Sequence, residues 1–167
     1  MNLELTNFDN IDSSEAKFYN KLKEDRAYNE RDFVMLLIIL GSGKKTDKAH
    51  MIFEEWDIDI NKKLTREEMA EITGTLNNIF VDGTVELSIA LEADETNRAL
   101  LEKYRDALNV RVDLAAETLS AIVFPNEGVV EVSEAQFIEV LGKNRPNLLT
   151  SFGYRKFISE LEPKKDV

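Results

Sequence analysis

The stretch WDIDINKKLTREEM, Trp56 to Met69, decides how this chain is read. It places Asp57, Asp59, Asn61, Thr65 and Glu68 at alternating and then wider spacing, directly after an aromatic residue. A hard cation such as calcium takes about six to eight oxygens, and a twelve-residue loop supplies them from positions 1, 3, 5, 7, 9 and 12. With Asp57 at position 1, Asp59 is 3, Asn61 is 5 and Lys63 is 7, the last offering only its backbone carbonyl. Thr65 falls at 9 and Glu68 at 12, where a two-oxygen carboxylate closes such a cage. Leu64 takes position 8, where an apolar residue can make a short strand contact with a second loop.

The flanks agree with that reading. Ala49, Ile52, Phe53 and Trp56 recur at i, i+3, i+4 and i+7, one apolar helical face. Beyond the loop Met69, Ile72 and Leu76 repeat the spacing, with Thr73 a polar intruder. Helix, loop, helix is the order the ligand pattern needs.

Composition narrows the function classes. The 167 residues suit one domain or two small lobes, and are enough to bury a core. Thirty-two acids against 21 bases leave a net charge of −11, which disfavours nucleic acid and anionic membranes and suits cations or basic partner segments. There is no cysteine for a disulfide, thiolate metal site or thiol nucleophile, and the single His50 cannot build a multi-histidine centre. MNLELTNFDN is polar and acidic where a signal peptide is basic and then apolar, and Asn2 stands where myristoylation needs glycine. FVMLLIIL, 33–40, is too short to span a bilayer. The expectation is a soluble cytoplasmic protein, with cytoskeletal or ciliary association compatible with it.

The segment KKTDKAHMIFEEWDIDINKKLTREEMAEI resembles an EF-hand, and in particular the central hand of the calcineurin B, neuronal calcium sensor and calaxin branch. The resemblance implies an all-α fold of EF-hand helix-loop-helix pairs, with short β contacts between loops, in two lobes. It implies one calcium ion held by Asp57, Asp59, Asn61, Lys63, Thr65 and Glu68, and regulation of a partner protein. One departure matters: position 6, normally glycine because the chain turns there with φ > 0, is Lys62. Holding a side chain in that conformation costs about 1 kcal/mol or more. Lys62, Lys63 and Arg66 also place positive charge near three carboxylate ligands. Weakened affinity is expected.

Such hands pair, so a partner loop is sought. Thirty-six residues before Leu64 stands Tyr28, in AYNERDFVMLLIIL, whose pattern matches KLTREEMAEI. Phe33, Leu36, Leu37 and Leu40 are the expected buried face of that helix, and Phe18, Tyr19 and Leu22 the face of the helix before it. The intervening KLKEDRAY has lysines where acids belong, so this first hand, about 15–41, is degenerate and its work is to pair Tyr28 with Leu64. With the calcium-type hand at 48–77, it makes an N-terminal lobe of residues 1–78.

Residues 79–167 are expected to form the C-terminal lobe. In LSAIVFPNEGVVEVSEAQFIEVL, Val132 takes position 8 and Ser133 position 9, with Phe137, Val140 and Leu141 on the exiting face. Position 1 is then Pro125 and position 12 is Gln136, neither of which supplies a carboxylate, so this hand (about 115–142) does not bind metal. An ordinary turn into a helix is the plainer alternative. Asp57 and Pro125 are 68 residues apart, so the gap holds an insertion or an eroded hand, for which DGTVELSI, 82–89, is the only place. Leu100, Leu101, Tyr104 and Leu108 predict a helical insertion over about 94–109. In the tail, NLLTSFG resembles the apolar segment after the last hand of calaxin-like proteins, which can lie in the protein's own groove; a C-terminal helix packed on the core is the alternative.

GSGKKT, 41–46, follows an apolar run, but a phosphate-binding loop needs Gly where Ile38 stands and Ser or Thr where Lys45 stands. It reads instead as a helix end, with Gly41 and Gly43 stopping the helix and lysines complementing its negative terminus. No Ser–His–Asp constellation stands out, and no enzyme is expected. The function implied is calcium-dependent exposure of a groove for an amphipathic partner helix, with Met35, Met51, Met69, Phe33 and Phe53 as candidate lining. Two alternatives remain: a calcium-insensitive structural or light-chain-like subunit of a cytoskeletal or axonemal assembly, and the EF-hand region of a larger enzyme, resembling calcium-regulated NADPH oxidases.

Overall fold

Between Lys45 and Asn77 the chain runs helix, loop, strand, helix. The computed structural model describes residues 30–126 and 128–162, and these are mostly helical. Helix α1 (Glu30–Leu40) is followed by α2 (Lys45–Trp56), strand β1 (Lys63–Thr65) and α3 (Arg66–Asn77). The buried residues of α2 include Ala49, Ile52, Phe53 and Trp56, and those of α3 include Met69, Ile72 and Leu76. Both faces lie where the spacing puts them. Thr73 is buried among them because its hydroxyl donates back to the Met69 carbonyl at 2.9 Å.

A second helix–loop–strand–helix unit is formed by α6 (Val112–Val123), β2 (Glu131–Ser133) and α7 (Glu134–Phe137), which runs on as a π-helix, Ile138–Asn144. Phe137 and Leu141 are buried and Val140 half-buried. Strands β1 and β2 pair antiparallel, Lys63 with Ser133, Leu64 with Val132 and Thr65 with Glu131. The partner expected for Leu64, Tyr28, lies outside the described residues, as does most of the 15–41 segment. The partner the structure gives Leu64 is Val132.

The units are joined by a π-helix, Asn78–Gly83, then α4 (Thr84–Leu91) and α5 (Glu95–Asn109). Residues 82–89, the only place for a further loop, are helical throughout. The residues between the two units are therefore helical, with α5 on the stretch expected at about 94–109. Asp94 caps α5 by accepting from the N–H groups of Thr96 and Asn97 at 2.9 and 3.0 Å. Of its apolar stripe, Leu108 is buried while Leu100 and Tyr104 are exposed.

The tail resolves into a short 3-10 turn, Pro146–Leu149, and helix α8 (Ser151–Glu160). Leu148, Leu149, Tyr154 and Ile158 are buried. Gly153 is sterically required there, because a Cβ would stand 2.2 Å from the Asn147 carbonyl oxygen. The tail is thus a helix packed on the core. One hydrophobic cluster runs from Met35 through Trp56, Phe80 and Phe137 to Ile158. Residues on either side of position 78, where the sequence suggests two lobes, share it. Phe53 and Phe137 meet with ring centroids 5.8 Å apart, and Phe80 and Tyr154 at 5.7 Å.

Helix α1 corrects one expectation. Phe33, Leu37 and Leu40 are 56%, 56% and 68% exposed, while Met35, Ile38 and Ile39 are buried. In a run where every residue is apolar, periodicity cannot choose the inward face; packing on α2 and α3 does. Of the residues expected to line a calcium-exposed groove, Met35, Met69 and Phe53 are fully buried here, while Phe33 and Met51 stand at the surface. The helix ends at Leu40 with the Gly41 N–H on the Leu37 carbonyl at 2.8 Å. Its terminal carbonyls are met by Lys48, not by the lysines of GSGKKT: Lys48 Nζ donates to the Ile39 carbonyl at 2.5 Å, and burial lowers its pKa. No helix among the described residues is long and apolar enough to cross a membrane.

Candidate functional site

The loop from Asp57 to Lys62 is shaped by its own carboxylates. Asp57 ends α2 with its N–H on the Phe53 carbonyl at 2.9 Å, and its side chain is almost entirely buried. Its Oδ1 accepts from the Asn61 N–H at 3.1 Å and its Oδ2 from the Lys62 N–H at 3.0 Å. Asp59 Oδ1 accepts from the Asn61 N–H at 3.2 Å, and its Oδ2 from Asn61 Nδ2 at 2.7 Å. Asp57, Asp59 and Asn61 are therefore drawn into one turn.

Glu68 stands in the first turn of α3 and serves two roles. Its Oε2 accepts from the Thr65 N–H at 2.8 Å and the Thr65 hydroxyl at 2.9 Å, while Thr65 Oγ1 accepts from the Glu68 N–H at 3.2 Å. This reciprocal capping box satisfies two orphan donors at the helix start. Glu68 Oε1 reaches across the loop to the Ile58 N–H at 3.2 Å. It thus links α3 to the residue after Asp57.

Two residues with side chains adopt positive φ, Ile60 at 55° and Lys62 at 64°, the only such non-glycines among the described residues. Lys62 occupies the turn conformation expected of position 6. Ile60 could not be read from residue type, since a β-branched residue is among the worst suited to that region. Both conformations are imposed by the carboxylate bonds to Asn61 and Lys62, against a cost of about 1–2 kcal/mol per residue.

Two of the three cations near the loop, Lys63 and Arg66, are directed elsewhere. Lys63 Nζ lies 2.7 Å from Glu131, and that hydrogen bond, reinforced by the opposite charge, raises the Lys63 pKa. Arg66 donates to the Asn126 carbonyl at 3.1 Å and to Ser120 Oγ at 3.5 Å, and its guanidinium lies 4.7 Å from the centre of the Phe124 ring. Lys63 and Arg66 therefore fasten this loop to the second unit, a role that residue type and spacing did not reveal. His50 faces Glu134 through Nδ1 at 2.6 Å and Glu54 through Nε2 at 3.5 Å, away from the loop's ligand set.

The second loop lacks the same chemistry. Pro125 offers no side-chain oxygen, and Gln136 Oε1 is taken by the Ser133 N–H and hydroxyl at 2.9 and 2.8 Å. This is the Thr65–Glu68 capping box repeated with a neutral amide.

The fit to a cation divides into two parts. The donor set is all oxygen, as a hard cation requires, and the backbone already turns at Lys62. The carboxylates are instead spent on the loop's own N–H groups, and no group of three or more His, Asp or Glu side chains gathers to hold a metal among the described residues. Asp57, Asp59 and Asn61 are brought together; Glu68 joins them only through Ile58. Comparison of the chain with protein-family models, with curated proteins and with solved structures found no match.

Proposed function

We propose that this chain is an EF-hand protein in which a binding hand (about 48–77) and a non-binding hand (about 115–142) pair through their loops, and that calcium at Asp57–Glu68 modulates a partner protein. The observation that carries the reading is the Leu64–Val132 pair. Each residue is position 8 of a twelve-residue loop counted independently from the sequence, and paired hands meet there. The positive φ of Lys62 at position 6 supports it.

The ion would be held by the side chains of Asp57, Asp59, Asn61, Thr65 and Glu68 and the Lys63 carbonyl, and when bound it would supply a fixed positive charge to this acidic loop. Glu68 is the one side-chain ligand carried within α3; the others lie between α2 and the N-cap. Whatever changes the partners of Glu68 therefore acts on the angle between α2 and α3.

Trp56 immediately precedes Asp57, is fully buried, and is the only tryptophan, so it reports on this loop. Its fluorescence should change saturably at micromolar calcium with magnesium in excess, and Glu68→Gln should abolish the change. The second reading, a calcium-insensitive scaffold, is favoured by the engagement of Glu68 as a helix cap. A flat titration to millimolar calcium would establish that reading and end the first.

A further inference from the structure

We propose that the exposed apolar face of α1 and α2 docks a second copy of this chain, which presents the Phe152 end of α8. Phe33, Leu37 and Leu40 lie along one side of α1, and Met51 of α2 is exposed beside them. Leu37 and Met51 share a depression of about 390 Å³ bordered by Glu54 and Glu55. Large apolar side chains scattered singly are ordinary on a surface, but a run across two adjacent helices marks an interaction site.

The complementary surface lies where the 3-10 turn meets α8. Phe152 is 75% exposed there, at a second depression of about 460 Å³ lined also by Arg145 and Lys156. Arg145 and Lys156 set two cations against one acid, Glu160, in this depression, whereas the charged residues bordering the first are Glu54 and Glu55. Lys156 Nζ lies 3.7 Å from Glu160, an exposed pair that exchanges partners at little cost.

Charge selects the geometry. A symmetric contact of the α1–α2 face with itself would set Glu54 and Glu55 of one copy against the same residues of the other. A head-to-tail contact sets them against Arg145 and Lys156, and seats Phe152 between Leu37 and Met51. Head-to-tail contacts do not close on themselves in a dimer, so association continues to rings or filaments. The surface is separate from the cation loop, and failure of either reading leaves the other standing.

Sedimentation of the full chain from micromolar to millimolar concentration is the test. Wild type should grow in mass with concentration and shrink with salt. Leu37→Glu and Phe152→Glu should each weaken association roughly tenfold or more, with unchanged circular dichroism. If Leu37→Glu unfolds, Met51→Glu takes its place on the same face. Mixing the face variant with the Phe152 variant should restore a one-to-one dimer and nothing larger, because one intact face and one intact tip remain. A wild type that stays monomeric overturns the proposal, even if the face binds a basic peptide. So does association that survives both variants, or a mixture that fails to pair.

Discussion

Leu64 and Val132 lie opposite one another in the antiparallel pair that joins the two helix–loop–strand–helix units, and both are buried in one cluster. Contacts on either side of residue 78 are therefore energetically shared. Leu64→Ala should cost about 2–5 kcal/mol. Urea unfolding followed by Trp56 fluorescence and by circular dichroism should give coincident transitions in both proteins. Separate transitions for the two probes would mean that the halves fold independently.

Glu68→Gln should keep the capping box of α3, and Gln136 shows why. That glutamine makes with Ser133 the same capping box that Glu68 makes with Thr65. The expected loss is about 1–2 kcal/mol, because the amide nitrogen that replaces one carboxylate oxygen cannot accept from the Ile58 N–H and the helix N-terminus loses its anion. Thermal melting of the metal-free variant checks it. A large loss would show that the Glu68 charge itself holds the loop.

Lys62→Gly should stabilise the loop by about 1 kcal/mol, because glycine takes a φ of 64° without the Cβ penalty. If the calcium reading holds, relief of this strain should leave the affinity unchanged, because the loop carries the same φ before calcium binds. Thermal melting measures the gain and isothermal titration the constant; a tighter constant would trace to the lost lysine charge rather than to backbone strain.

Arg66→Ala should cost about 1–2 kcal/mol by releasing the Asn126 carbonyl and uncovering the Phe124 ring. Arg66→Lys should fail to rescue it, since an ammonium cannot both stack on the ring and fork between two acceptors. Full rescue by lysine in a denaturation series would reduce the contact to simple charge.

Tyr154 sets an alkaline limit. Its hydroxyl donates to Asn77 Oδ1 at 2.9 Å, and burial pushes its pKa well above the ordinary 10.0. The folded state keeps a proton that the unfolded chain releases near pH 10, so this stability is complete below pH 10 and declines as pH rises beyond it. The decline attributable to Tyr154 is about 1.4 kcal/mol per pH unit. Tyr154→Phe should lose about 1 kcal/mol at neutral pH and show a shallower alkaline decline. Equal slopes for the two proteins would place the titration elsewhere.

What could be read from the residues depended on contrast. Ala49, Ile52, Phe53 and Trp56 stand among polar neighbours, so their spacing marks a face, and the structure buries them. FVMLLIIL has no such contrast, and the buried side was legible only once α2 and α3 lay against it. Asp57, Asp59, Asn61 and Lys62 shape their turn through bonds spanning five residues or fewer, which local sequence can encode. The Arg66–Asn126 and Lys63–Glu131 contacts span 60 and 68 residues, and the local sequence around Arg66 or Lys63 carries no trace of a partner so far along the chain.

By itself the sequence determined the helix–loop–strand–helix form of residues 45–77, the turn at Lys62 and the absence of a carboxylate at both ends of the second loop. Each is a short-range property, set by side-chain periodicity, backbone sterics or residue chemistry. Only the tertiary structure decided that Leu64 meets Val132, that one core runs across residue 78, and that Phe33, Leu37 and Leu40 face outward. Those outcomes rest on competition among many apolar surfaces for one interior, and the winner is chosen by packing over the whole chain rather than by any local pattern.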